Sequence, residues 1–303
     1  MSEFAIPTIP LEFRKSKAVT LGVFDGVHSG HRKILKRLRE LDPENGLVIT
    51  FKTHPDELLF GRRVRWICSY EERLALLKEA GAAHVLEWSF DEQLMNISAE
   101  DFVARYFLEE LDQPHLVVGY DLRFGKGAKG SYTFLKDNYA DKLKLSYIEG
   151  VEFEREIVSS SRIREEVLLG DLPRAEKMLE RPFSTSGLVI EGFQRGRKLG
   201  FPTANIKPHK DIILPPYGVY RVLAHCEGVA HNAVCNLGLR PTFVEDDTPL
   251  LEVHLFDFEG DLYGKEMKIE WKNFIRPEKH FSGPEDLVVQ IKKDVKEARR
   301  GSA

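Results

Sequence analysis

The spacing of apolar residues changes once along this chain, and that change limits what it can fold into. From residue 18 to about 148, short apolar runs alternate with longer amphipathic stretches. Runs at 18–24, 47–51, 84–88 and 115–120 read as buried strands, while 32–41, 70–80 and 99–111 carry apolar residues at helical spacing. Parallel strands need a crossover, and a helix supplies it, so this alternation predicts a doubly wound α/β sheet with its ligand at the carboxyl ends of the strands. Beyond 161–164 two short helical patterns end near Pro182, and the texture then changes. Between 183 and 275 frequent glycines and prolines separate β-rich runs at 186–190, 218–225, 231–237, 250–256 and 266–271, as in a barrel or sandwich. Leu287, Val288, Ile291 and Val295 then share one face of a closing amphipathic helix over 284–299. The expected organisation is an α/β domain with linker helices over 1–182 and an all-β domain over 183–303.

Composition narrows the function classes. With 303 residues, 42% hydrophobic and 30% charged, the chain can bury two ordinary cores. A formal net charge of −4 provides no general field for polyanions, which disfavours generic nucleic-acid binding, although the cluster of Arg195, Arg197 and Lys198 is able to grip a phosphate. Cys68, Cys226 and Cys235 form no C-x-x-C pair, which suits a reducing compartment and argues against structural zinc. No run approaches the roughly 18 apolar residues of a membrane helix, and the N-terminal sequence lacks the charged-then-apolar order of a signal peptide. A cytoplasmic protein without a membrane partner is expected.

The strongest local signal is G-V-F-D-G-V-H-S-G-H at 22–31, placed where the first strand gives way to the first helix. Its glycines permit a tight turn, and the helix N-terminus beyond offers unpaired N–H groups to phosphate. His28 and His31 are spaced to aim both imidazoles at one point, where they can donate to a reacting phosphate and its leaving group. One such histidine reads equally as a satisfied cap residue, and the pair reads also as metal ligands, though no complementary pair follows at zinc spacing. Neither G-x-x-x-x-G-K-[ST] nor G-x-G-x-x-G occurs, so phosphate must be handled by another device.

The run at 22–31 resembles the H-x-G-H signature of the nucleotidyltransferase superfamily, and its longer G-x-F-D-G-x-H-x-G-H form is similar to the bacterial FAD synthetases. The resemblance implies a Rossmann-like nucleotidyltransferase fold, with His28 and His31 acting on the reacting phosphates and Gly22, Phe24, Asp25, Gly26 and Gly30 shaping the nucleotide site. T-F-K-T-H-P at 50–55 and V-G-Y-D-L-R-F-G at 118–125 resemble FAD synthetase segments lining the nucleotide and flavin pocket. They implicate Asp121 for nucleotide and His54, Pro55, Arg123 and Phe124 for flavin. V-S-S-S-R-I-R at 158–164 resembles the superfamily's second signature, I-S-S-T-x-I-R, with Val158 for Ile and Ser161 for Thr. Ser159, Ser160, Ser161 and Arg164 thus become triphosphate donors, since hydroxyls and a guanidinium suit phosphate oxygens. The serines read equally as a helix N-cap, and both roles can hold together.

In the second half, a glycine-rich cationic loop runs into a short strand bearing Thr203 and Asn205 on one face. Two neutral oxygen ligands can complete a magnesium shell with phosphate and water, or they form a polar barrel rim. G-R-K-L-G-F-P-T-A-N at 196–205 resembles the riboflavin kinase signature. That implies Mg²⁺ at Thr203 and Asn205, with Gly196, Lys198, Gly200 and Pro202 around ATP. L-E-V-H-L-F-D-F at 251–258 is similar to the family's stretch with a catalytic glutamate, here Glu252. N-L-G-L-R-P-T-F at 236–243 and R-P-E-K-H-F at 276–281 match further family segments and place Arg276 and Phe281 near the flavin, although Phe281 reads equally as core.

Together the motifs follow the order of the bacterial bifunctional riboflavin kinase/FAD synthetases, which implies an N-terminal nucleotidyltransferase domain and a riboflavin-kinase-like β-barrel with a closing helix. The expected substrates are riboflavin, FMN and ATP, the products FMN and FAD, and the metal Mg²⁺. Rival readings are a chain with one of the two activities, a non-catalytic flavin or nucleotide carrier, and an RNA-directed H-x-G-H enzyme. The last is disfavoured by the net charge and by the absence of length for an anticodon domain.

Overall fold

A computed structural model describes residues 6–191, 200–239 and 249–300. By contacts the chain divides into two units: one runs to Trp66 and resumes from Tyr70 to Ser160, the other comprises Ile67–Ser69 and the chain from Ser161 onward. The two helices before Pro182 therefore group with the barrel, where the second of them packs on the last barrel strand.

The sheet strands of the first unit are β1 (Ala18–Leu21), β2 (Leu47–Phe51), β3 (His84–Trp88), β4 (His115–Gly119) and β5 (Leu145–Ile148). They form one sheet in the order β3-β2-β1-β4-β5, every pair parallel. β2 is buried at all five positions, the signature of a central strand covered on both faces. The helices are α1 (Ser29–Leu41), α2 (Pro55–Phe60), α3 (Tyr70–Glu79), α4 (Glu92–Asn96), α5 (Ala99–Phe102) and α6 (Tyr132–Tyr139). Past α5 the expected helix over 99–111 continues as a π-helical stretch, Val103–Glu110. Its Val103, Tyr106 and Phe107 join Trp88, Phe102 and Phe124 in the aromatic part of the core.

β1 is shorter than the apolar run 18–24 suggests. Phe24 takes φ 54° and Gly26 φ 74°, and these left-handed residues turn the chain out of the sheet and into α1. Val27 also has positive φ, 40°, unusual for a β-branched residue, and such strain is typical of functional turns.

In the second unit β8 (Ser184–Ile190), β9 (Ala204–Pro208), β10 (Gly218–Cys226), β11 (Val229–Leu239), β12 (Pro249–Leu255) and β13 (Glu266–Arg276) close into a barrel in the order β10-β11-β12-β9-β8-β13. A two-stranded hairpin that still belongs to the first unit, β6 (Glu152–Phe153) and β7 (Glu156–Ile157), precedes α7 (Ser160–Leu169) and α8 (Leu172–Leu179), and α9 (Pro284–Arg300) follows the barrel. Strict alternation along β10 and β12 sends Tyr220, Val222, Ala224, Leu251, Val253 and Leu255 into the interior. Buried Trp271 satisfies its indole N–H on Thr185 Oγ1 at 2.9 Å, and Tyr220 donates to the Pro216 carbonyl at 2.6 Å. Burial pushes the Tyr220 hydroxyl up to about 12. α9 covers part of the outer wall, packing Ala298 and Val295 against Val219, Val234, Ile275 and Phe256. It is fastened there by Arg276, which holds Asp294 through Nε at 3.0 Å and Nη2 at 2.7 Å.

Candidate active sites

In the sheet unit the chain emerging from β1, β2 and β4 brings three of the motif segments to one edge. His28 caps α1, is buried, and stacks on His31 with ring centroids 3.6 Å apart and 22° between planes. Phe24 meets His31 edge-on at 5.1 Å and so supports the stack from the turn. Gly22 and Gly30 leave space that this packing needs. A Cβ on Gly30 would lie 3.1 Å from the His28 ring, and one on Gly22 3.1 Å from the Phe24 ring. His31 retains some surface, yet its Nδ1 is buried and finds no hydrogen-bond partner among the described residues. Enclosure first, and His28 second, hold its pKa well below the ordinary 6.5. A neutral His31 at neutral pH spares the stack a charge repulsion and leaves a ring N–H available for donation.

Asp25 is buried, and its carbonyl accepts from Ser160 Oγ at 2.9 Å. The start of the second signature is thereby tied to the turn of the first across 135 residues. Ser159 precedes α7, and Ser161 and Arg164 lie within it, Arg164 half-buried. His54 caps α2 through Nδ1, which accepts from Asp56 N–H at 3.2 Å, with Pro55 at the first helical position. At the end of β4, Gly119 admits Ile34 of α1 where a Cβ would lie 2.9 Å from it, and Asp121 follows. Its crowded surroundings raise the Asp121 carboxyl, opposed by its own backbone N–H and by Arg123. Arg123 is exposed, whereas the Phe124 ring is buried against Phe102 at 5.1 Å and belongs to the core.

The barrel arranges polar groups differently. Strand register places Asn236 on β11 opposite Glu252 on β12, and Glu252 opposite Asn205 on β9. Cross-strand partners share a face, so the three make one polar row across the outer wall. Glu252 is exposed and Asn205 buried. Thr203 lies one residue before β9 rather than in it. His254 fixes that approach, since its Nδ1 donates to the Pro202 carbonyl at 2.8 Å while its ring meets Phe201 edge-on at 5.5 Å. Gly200 turns with φ 84°. Gly196, Lys198 and the segment 240–243 lie outside the described residues. Arg276 is engaged by Asp294 and the Pro277 carbonyl, and its guanidinium lies 5.8 Å from the half-buried Phe281 ring. The Glu278 carboxylate occupies the place of a Cβ on Gly238, so two of the motif segments meet closely.

The FAD synthetase family matches residues 11–162 and the riboflavin kinase family residues 179–301. A bifunctional riboflavin kinase/FMN adenylyltransferase from Bacillus subtilis is 37% identical over 95% of this chain and 93% of its own length. The chain belongs to this bifunctional family. The Listeria monocytogenes member is 34% identical over 94% of this chain and 92% of its own length. A solved structure from Streptococcus pneumoniae, described as a macrolide-efflux protein, superposes with a TM-score of 0.84 at 30% identity, covering 97% of this chain and 99% of that one. Among the described residues of this family member no helix is long and apolar enough to cross a membrane. Sequence reasoning about the family's motifs did not reach Arg73, Thr50 or His254 as structural supports of the two sites. The signal for Arg73 was its position, three and four residues before Leu76 and Leu77 on the buried face of α3.

Proposed function

We propose that this chain builds flavin cofactors in two ATP-dependent steps: residues 183–303 phosphorylate riboflavin to FMN, and residues 1–182 adenylylate FMN to FAD. The observation that carries the reading is that each family match falls on a unit with its own polar site, at the place its fold makes available to solvent. In the adenylyl step a phosphate oxygen of FMN attacks the α-phosphorus of ATP and pyrophosphate leaves. His31, held neutral, and its stacking partner His28, at the positive end of α1, donate to the oxygens on which charge grows. Ser159, Ser160, Ser161 and Arg164 serve the triphosphate, with Gly22, Phe24, Asp25, Gly26, Gly30 and Asp121 around the nucleotide. His54, Pro55 and Arg123 serve the flavin, and Phe124 acts by anchoring the loop that carries Arg123 in the core.

In the kinase step Glu252 takes the proton of the riboflavin 5′-hydroxyl as that oxygen attacks the γ-phosphorus and ADP leaves. Arg276 and Phe281 face the flavin, and Gly196, Lys198, Gly200 and Pro202 the nucleotide. The oxygen donors Thr203 and Asn205 would hold Mg²⁺, which when bound neutralises charge on the phosphates. Among the described residues no three His, Cys, Asp or Glu side chains group as a metal cage. That suits a cation held by one or two protein oxygens plus nucleotide phosphates. The three free, buried cysteines fit a reducing compartment, and a cytoplasmic site of action is part of this reading. Incubation with Mg-ATP and riboflavin should yield FMN and ADP, and with Mg-ATP and FMN should yield FAD and pyrophosphate, as separated by chromatography. Flavin retention without either product would replace the enzyme with a carrier.

A further inference from the structure

We propose that Arg73 is a positioning residue for adenylyl transfer, holding the turn that carries the histidine pair in register with the end of β2. The inference rests on the reading of that pair as the adenylylation site.

Arg73 is 1% exposed, an unusual place for a guanidinium in a helix of the sheet unit. Its Nη1 donates to the Val23 carbonyl at 3.1 Å and its Nη2 to the Phe51 carbonyl at 2.7 Å. These carbonyls lie where β1 and β2 part. The β1–β2 ladder runs to Gly22 N–H on the Ile49 carbonyl at 3.1 Å. Two residues further Phe24 turns left-handed, and the Phe51 carbonyl is met by Arg73. The guanidinium thus extends the sheet across the point where β1 leaves it. Thr50, fully buried, donates through Oγ1 to the same Val23 carbonyl at 3.1 Å, so this last group before the strained turn is gripped twice. The Trp66 ring lies 4.2 Å from the Arg73 guanidinium carbon and itself meets His54 edge-on at 5.3 Å. One buried cation therefore contacts the root of the His28–His31 turn and the aromatic neighbour of His54.

A planar fork reaches two carbonyls in fixed directions, and an ammonium on a shorter stem does not reproduce that geometry. Positioning errors of about 1 Å cost on the order of 10²-fold in rate. In Arg73→Lys the kcat for FAD formation, counted per folded molecule by flavin-site titration, should fall at least about tenfold with KM for FMN little changed. Kinase turnover of the same sample should stay at the wild-type value. Thr50→Val, which removes the second donor without changing shape, should lower the same kcat by a smaller factor. Independently of turnover, the imidazole NMR signals of His28 and His31 should shift in both variants without substrate. A purely structural role would lower the melting temperature and leave both kcat per folded molecule and the imidazole signals unmoved, and that result overturns the proposal. Should the unaltered protein form no FAD, the adenylylation reading falls, and unchanged imidazole signals would then reject the positioning role separately. If Arg73→Lys does not fold, wild-type kcat and imidazole signals in Thr50→Val overturn it.

Discussion

The two units solve the problem of exposing chemistry in opposite ways. In the parallel sheet the buried central strand β2 has no side chain to spare for the ligand, and the histidine pair, His54 and Asp121 all sit on chain that follows a strand end. In the antiparallel barrel every second residue faces outward, so the strands themselves carry Asn236, Glu252 and Asn205. A site made of strand exits needs clamps and tolerates strain, as the positive φ of Phe24 and Val27 shows. One made of strand faces inherits its precision from the ladder.

The sharpest break of this comparison is Glu252→Gln, which keeps shape and removes basicity. Kinase turnover should fall by roughly 10²–10⁴-fold with riboflavin affinity kept and FAD formation from supplied FMN unaffected. Steady-state assays of both reactions on one preparation would reveal it, and near-normal kinase turnover in a stable protein would remove Glu252 from the mechanism. On the other unit, His28→Ala or His31→Ala should lower FAD formation by about 10²–10³-fold and leave the kinase intact. Equal loss of both activities would instead point to a shared site or a folding defect.

A stability experiment separates the units without catalysis. Asp294→Ala removes the carboxylate that fastens the half-buried Arg276 guanidinium and should destabilise the barrel by about 2 kcal/mol. Calorimetry should show one transition moved and the sheet unit's transition in place. The smallest effect expected is on pH. Above 6.5 His31 is neutral whether folded or unfolded, while below it the unfolded chain takes a proton that the folded one resists. Stability of the sheet unit should therefore decrease as pH falls below 6.5, by at most about 1.4 kcal/mol per pH unit from this group, and His31→Asn should flatten that slope in urea titrations at stepped pH.

Strands with unbroken apolar runs were the most legible parts of the sequence. β2 and β3 coincide with the expected runs 47–51 and 84–88. β5 was not expected as a strand, because its L-S-Y-I is short and half-exposed at the sheet edge and shows no period. The strand end before Phe24 was hidden for another reason: nothing in an aromatic residue announces a left-handed φ, which the turn as a whole imposes. Motifs placed the histidine pair and Glu252 in sequence, but Asn205 as the cross-strand partner of Glu252 is a fact of register. Arg73 was hard to read for a chemical reason: its spacing from Leu76 and Leu77 puts it on the buried face, but a cation on an amphipathic helix normally reads as its wet side.

The row of Asn236, Glu252 and Asn205 makes the barrel intolerant of a particular kind of genetic change. A single-codon insertion or deletion within β12 moves every following side chain to the opposite wall, turning the Glu252 carboxylate toward the position now filled by Leu251 or Val253. Such a frame-preserving lesion would be rejected first by the apolar interior rather than by loss of catalysis. The packing that keeps the barrel folded therefore also proofreads the alignment of its outer polar row, whereas length variation is absorbed in the turns between strands.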